Sequence, residues 1–194
     1  MNEAFDTFLA LPDQERRDVF DAAAERLDTL ATYIEKDFWV CRVLDTLYHG
    51  LPDNHPRLLF KGGTSLSKAF SAIRRFSEDI DMVVFRDDLG FTDGLDPTRE
   101  GLGRKARERL ANELKKAASH YICTDLAACL SELFEQCKIV EDEEDADRST
   151  LLVQYPSLYP SESDAYVEPR VKIEGGARSA LDPHAVQTVT PYIQ

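Results

Sequence analysis

The chain has only four cysteines, Cys41, Cys123, Cys129 and Cys137, and no two stand in C-x-x-C spacing or beside a companion histidine pattern. That excludes a zinc ribbon and a disulfide framework, and predicts reduced thiols in a cytoplasmic protein. No apolar run reaches the length that spans a bilayer, so no membrane segment is expected. Met1-Asn2-Glu3-Ala4-Phe5-Asp6 lacks the basic start of a signal peptide. Basic charge is also scarce: the formal net charge is -13, the reverse of the excess that marks most nucleic-acid-binding domains. There are no internal repeats. The four histidines, His49, His55, His120 and His184, are scattered, and none is given a catalytic role.

What is present is concentrated between positions 58 and 85. Leu58-Leu59-Phe60 is a short apolar run that ends at Lys61-Gly62-Gly63-Thr64-Ser65-Leu66-Ser67-Lys68, which reads as a buried strand turning into a helix. Leu66, Phe70 and Ile73 recur at i, i+4 and i+7 and predict a helix with one buried face. Glycines at its start let backbone N–H groups approach a phosphate, and the helix dipole favours the negative charge. The strand that follows carries Asp79 and Asp81. Positions i and i+2 of a strand share a face, roughly 7 Å apart between Cα atoms. That spacing suits two carboxylates sharing a pair of divalent ions about 4 Å apart. An isolated D-x-D reads first as a solvated strand end; the upstream glycine turn reverses that in favour of the ion-binding reading. The segment is not a P-loop, because no second glycine precedes a Lys-Ser or Lys-Thr pair.

These two motifs resemble the polymerase-β-type nucleotidyltransferases, and within them the AbiEii/AbiGii toxin-type nucleotidyltransferases. Lys61 to Lys68 is similar to the family's first motif, and Arg75-Phe76-Ser77-Glu78-Asp79-Ile80-Asp81 to its second. Glu35-Lys36-Asp37-Phe38-Trp39-Val40 is similar to the N-terminal helical segment, and Arg170-Val171-Lys172-Ile173-Glu174 to the late strand. The resemblance implies an α/β (α+β) nucleotidyltransferase core with a mixed sheet, preceded by helices. It implies transfer of a nucleoside monophosphate from an NTP to a hydroxyl. Two Mg²⁺ ions, or Mn²⁺, would be held by Asp79, Asp81 and Glu174, with Lys172 beside them. Gly62, Gly63, Thr64, Ser65, Lys68, Arg75 and Ser77 would bind the nucleotide. The implied acceptor is a tRNA 3′ end, and the implied role is the toxin of a toxin–antitoxin pair with an antitoxin protein as partner. The alternatives are a protein-modifying adenylyltransferase and a non-catalytic NTP-binding module.

The remaining segments carry less. On the residues alone, Lys172 and Glu174 read as an exposed strand face, and Arg178 as a surface arginine or a phosphate ligand. Glu35, Lys36 and Asp37 read as a polar helix face. Residues 1–55 are expected to form an N-terminal helical segment packed on a core of residues 56–194. Pro12 opens a helix carrying Val19, Phe20 and Ala23. A longer helix carries Ile34, Phe38, Cys41, Leu44, Leu47 and Tyr48 and ends at Gly50. A further helix is predicted over 104–119, where Arg104, Lys105, Arg107, Arg109, Lys115 and Lys116 form either an RNA-backbone patch or a solvated face interspersed with Glu108 and Glu113. Ala127, Leu130 and Leu133 predict another short helix. Lys138-Ile139-Val140 and Leu151-Leu152-Val153 predict a hairpin whose connection, Glu141 to Asp147, lacks the features of an EF-hand loop and reads as solvated. The pattern stops at Pro191-Tyr192-Ile193-Gln194, short of the helical C-terminal region that the resemblance leads one to expect.

Overall fold

A computed structural model describes residues 2–70, 79–159, 168–178 and 184–193. Three helices come first: α1 (Glu3–Leu9), α2 (Asp13–Leu27) and α3 (Ala31–His49). Strand β1 (Leu58–Lys61), helix α4 (Gly62–Lys68) and strand β2 (Asp79–Val84) follow. After a loop with a 3₁₀ turn at Asp93–Leu95 come α5 (Arg104–His120), a π-helical turn (Tyr121–Leu126) and α6 (Ala127–Leu133). Strands β3 (Lys138–Glu141), β4 (Thr150–Gln154) and β5 (Arg170–Glu174) complete the described elements.

The strands form one five-stranded mixed sheet in the order β1-β2-β5-β4-β3. Only β2 and β5 run parallel; the other neighbours are antiparallel. The alternation of side chains along each strand then divides the sheet chemically. One face carries Leu58, Ile80, Met82, Val84, Leu151, Val153, Val171 and Ile173, all in the hydrophobic core with α3, α5 and the π turn. The other carries Lys61, Asp79, Asp81, Thr150, Lys172 and Glu174, because the register pairs Lys61 with Asp81, Asp81 with Glu174, Glu174 with Thr150, and Asp79 with Lys172.

Helix α3 is the hub of the core. Phe38 meets Phe5, Phe8 and Phe20 at centroid separations of 5.4, 4.9 and 5.9 Å, which fastens α1 and α2 to it. Trp39 stacks on Tyr155 at 5.1 Å, just past the end of β4. Fully buried phenylalanines such as Phe20 and Phe38 each contribute about 1.5–3 kcal/mol by removal from water. The helix ends where the sequence predicts, with the Gly50 N–H donating to the Thr46 carbonyl at 2.9 Å.

Two expectations are corrected. Helix α4 does not bury the Leu66–Phe70 stripe: Leu66 and Phe70 are 46% and 54% exposed, while Thr64 and Ser65 face inward. The helix ends at Lys68, and its inner face is set by polar contacts rather than by apolar packing. Ile73, the third member of that stripe, lies outside the described residues. Nor are Glu35, Lys36 and Asp37 a solvated face, since they are 2%, 4% and 2% exposed. Each is taken up by a different segment. Glu35 accepts from the Leu158 N–H at 2.7 Å and from the Ser157 hydroxyl. Lys36 donates to the Glu168 carbonyl at 3.0 Å. Asp37 accepts from the Tyr192 N–H at 2.8 Å and pairs with Lys68.

Candidate active site

The polar face of the sheet forms the floor of an open cleft of about 450 Å³, lined by Lys61, Asp81, Thr150, Lys172, Glu174 and Gly175, with Asp142, Glu144, Asp145 and Ser149 from the β3–β4 connection. Its position follows from register: Asp81 and Glu174 are lateral neighbours on parallel strands. Asp79 stands exposed at the start of β2, opposite Lys172.

Gly62 is what lets the glycine turn and the carboxylate strand meet. Its φ of +72° suits a residue without a side chain, and a Cβ there would lie 1.8 Å from Asp81 Oδ2. The Asp81 carboxylate therefore occupies the space that any other residue at 62 would fill. Thr64 holds the same helix to the same strand, its hydroxyl donating to the Asp79 carbonyl. On the other side of Glu174, a Cβ on Gly175 would come within 2.4 Å of Ile122 Cδ1 in the π turn, so the strand end also lies close against its support.

The electrostatics are those of crowded carboxylates. Burial raises the pKa of Asp81, and the neighbouring Glu174 charge adds to this against the attraction of Lys61. Lys172 donates to Glu174 Oε1 at 2.7 Å and lies 3.6 Å from Asp142 Oδ2. The Glu174 hydrogen bond, with the charges of Asp142 and Asp79, holds the ammonium above its ordinary pKa, so Lys172 is a fixed cation at neutral pH rather than a base. Five lining carboxylates face two lysines. No three His, Cys, Asp or Glu side chains among the described residues already surround a single ion position. The donor set nevertheless fits hard divalent cations, which take carboxylate oxygens. Asp81 and Glu174 share one face, and a cation between them would relieve their repulsion.

Of the residues expected in the site, Asp81, Lys172 and Glu174 come together in the cleft, Asp79 borders it, and Gly62 abuts Asp81. Thr64 and Ser65 are buried at the base of α4. Lys68 does not line the cleft; its ammonium is buried against Asp37, while Lys61, not expected as a site residue, supplies a cation there. Arg75 and Ser77 lie outside the described residues. Arg178 donates to the Ala111 carbonyl and to Asn112 Oδ1, both at 3.0 Å, and so ties the segment after β5 to α5. On α5 itself, Arg104 and Arg109 form i,i+4 pairs with Glu108 and Glu113.

The acidic connection is more than solvated loop. Asp145 accepts from the Ser149 N–H at 2.8 Å, the Thr150 hydroxyl at 2.7 Å and the Asp147 N–H at 2.8 Å, closing the hairpin over the cleft. Burial alone would raise its pKa, but these bonds together hold it at about 2. The stability they contribute is present above the ordinary value of 3.8 and is lost as pH falls toward 2. Asp145→Ala is expected to cost on the order of 2 kcal/mol. Thermal melts from pH 7 to pH 2 check this: the deficit of the variant should shrink in acid, and a constant deficit would refute the assignment.

A mixed sheet with a glycine-opened helix laid against a carboxylate-bearing strand is the architecture of a nucleotidyltransferase core. The sequence profile of the family described as "Nucleotidyl transferase AbiEii toxin, Type IV TA system" matches residues 45–194. The chain belongs to that family, whose members are nucleotidyltransferase toxins of type IV toxin–antitoxin systems. The match begins inside α3 and includes every cleft residue named above. No curated protein and no solved structure matches the chain. No helix among the described residues is long and apolar enough to cross a membrane.

Proposed function

We propose that this chain transfers a nucleoside monophosphate from an NTP to an acceptor hydroxyl at a tRNA 3′ end, as the toxin of a toxin–antitoxin pair. The acceptor oxygen attacks the α-phosphorus, the bond to the β-phosphate bridging oxygen breaks, pyrophosphate leaves, and the hydroxyl proton passes to solvent. The observation that carries this reading is the placing of Asp81 and Glu174 side by side, with Asp81 seated in the space left by Gly62. Asp79, Asp81 and Glu174 would hold Mg²⁺ or Mn²⁺, which when bound polarise phosphoryl oxygens and offset charge on the leaving group. Lys61 and Lys172 place two side-chain amines beside the carboxylates. Asp142 and Glu174 hold the Lys172 ammonium in place. The excess of carboxylates over lysines in the cleft repels a bare polyphosphate, which is why a metal–nucleotide complex is the substrate form proposed.

The acceptor is open to direct measurement. A tRNA end needs a basic approach, and Lys105, Arg107 and Lys116 are exposed on α5. Labelled NTPs incubated with total RNA and total protein should mark tRNA, with labelling that falls steeply as salt rises. Reversing the charge of Arg104, Lys105 and Arg107 should weaken RNA labelling and spare NTP binding. The acidic wall formed by Asp142, Glu144 and Asp145 favours a second reading, an adenylyltransferase acting on a basic protein surface. Label in a purified protein and none in tRNA would replace the first reading with the second.

A further inference from the structure

The charge pair at the closed end of α4 has no part in the cleft, yet it is among the most deeply buried groups in the described structure. The side chains of Asp37 and Lys68 are 1% and 5% exposed. Both are enclosed by one stretch near the C-terminus: the Tyr192 N–H donates to Asp37 Oδ2 at 2.8 Å, the Tyr192 ring lies 3.9 Å from the Lys68 ammonium, and Lys68 donates to the Thr190 carbonyl at 3.3 Å. Arg26 on α2 fixes that stretch in turn, donating to the Tyr192 carbonyl at 2.8 Å. A buried ion pair contributes little net stability relative to an apolar pair of the same volume, because desolvation offsets the attraction. What it does supply is geometry, since few other arrangements satisfy both charges.

That geometry bears on the cleft. Helix α4 has seven residues, too short to hold its own orientation. Its first residue must seat against the Asp81 carboxylate with no room for a single added carbon. Thr64 fastens one end of the helix to β2, and Lys68 fastens the other to α3. We propose that Asp37 and Lys68 are positioning residues, a buried pair that sets the pitch of α4 and so the seating of Gly62 on Asp81, with Tyr192 as the strap that keeps water from the pair. The proposal rests on the nucleotidyltransferase reading for its consequence in substrate binding, but its structural part does not.

The test is the neutral double variant Asp37→Asn/Lys68→Met, which keeps size, retains an acceptor for Tyr192 and leaves no lone buried charge. It should melt within a few degrees of the parent. Hydrogen exchange of the backbone amides of residues 62–69 should speed up about tenfold or more while α3 and β4 are unchanged. Calorimetric titration with ATP, GTP, CTP and UTP in Mg²⁺ should show affinity about tenfold weaker or worse for whichever nucleotide the parent binds, as small misplacements of site elements can cost about a hundredfold. Tyr192→Ala, which leaves both charges in place, should move both readouts the same way by a smaller factor and serves if the double variant does not fold. Unchanged exchange at residues 62–69, or unchanged affinity where the parent binds nucleotide, overturns the positioning role. A parent that binds no NTP would sink the nucleotidyltransferase reading alone, and the exchange measurement would still decide the role of the pair.

Discussion

Asp81→Asn is expected to abolish nucleotide transfer while leaving the metal-free protein at least as stable as the parent. The two effects have one origin. Asp81 is half-buried beside Glu174, and burial together with that like charge disfavours its ionised form. Its folded pKa is therefore above the ordinary 3.8. The folded state holds the proton more tightly than the unfolded one, so the group contributes most below that value and loses its contribution as pH rises through the folded pKa. At neutral pH the carboxylate is a liability to the fold, softened by Lys61. An amide of the same shape removes the liability, and the melting temperature should hold or rise, by about 2–4 °C for each kcal/mol recovered. Function moves the other way. With Asp81 neutral, a divalent cation loses a ligand, and transfer should fall by about a thousandfold or more. The parent should gain about 2.7 kcal/mol from Mg²⁺ at a hundred times its Kd, and Asp81→Asn should gain little. Asp79→Asn should also lose transfer, with a smaller stability change because Asp79 is exposed. Parental transfer rates in both single variants would sink the assignment of these carboxylates.

The elements themselves were legible from residue order. Periodicity and glycine stops predict α3, α5, α6 and strands β1 to β4, because each signal is local: a stripe of apolar residues, an alternation, a Gly50 or a Gly62. What local signals do not carry is partnership at long range. Three consecutive charges on a helix ordinarily face water, and Glu35, Lys36 and Asp37 are buried only because partners arrive from distant segments: Ser157 for Glu35, Glu168 for Lys36, and Tyr192 with Lys68 for Asp37. The same holds for Lys68 and Lys61. Both flank the glycine pair, and it is the end of β1 opposite Asp81 that puts Lys61, rather than Lys68, into the cleft. The run from Glu141 to Asp147 reads as solvated until the β3–β4–β5 register carries it over Glu174. The π turn at Tyr121–Leu126 contains neither glycine nor proline, the residues whose backbone chemistry would have marked it.

Gly62→Ala is the substitution with the largest expected effect outside the carboxylates, and it asks whether the glycine and the D-x-D strand are one device. The sequence accounts for a glycine here by the approach of a phosphate to bare backbone. The structure adds a second cause, since the missing Cβ makes room for Asp81. An alanine at 62 must either keep a φ of +72°, at a cost of about 1–3 kcal/mol, or move. With the backbone kept in place its Cβ meets Asp81 Oδ2 at 1.8 Å and Asp81 Cγ at 2.5 Å, distances no real structure holds. The carboxylate must swing out of line with Glu174. Gly62→Ala should therefore melt about 3–10 °C below the parent and lose most of its Mg²⁺-dependent stabilisation. The double variant Gly62→Ala/Asp81→Ala separates steric from backbone causes. Removing the carboxylate takes away the two nearest atoms and leaves the Asp81 Cβ at 2.8 Å, so the double variant should be more stable than the sum of the two single effects allows. Strictly additive melting shifts would mean that Gly62 and Asp81 do not touch in the way that brings the turn and the D-x-D strand together.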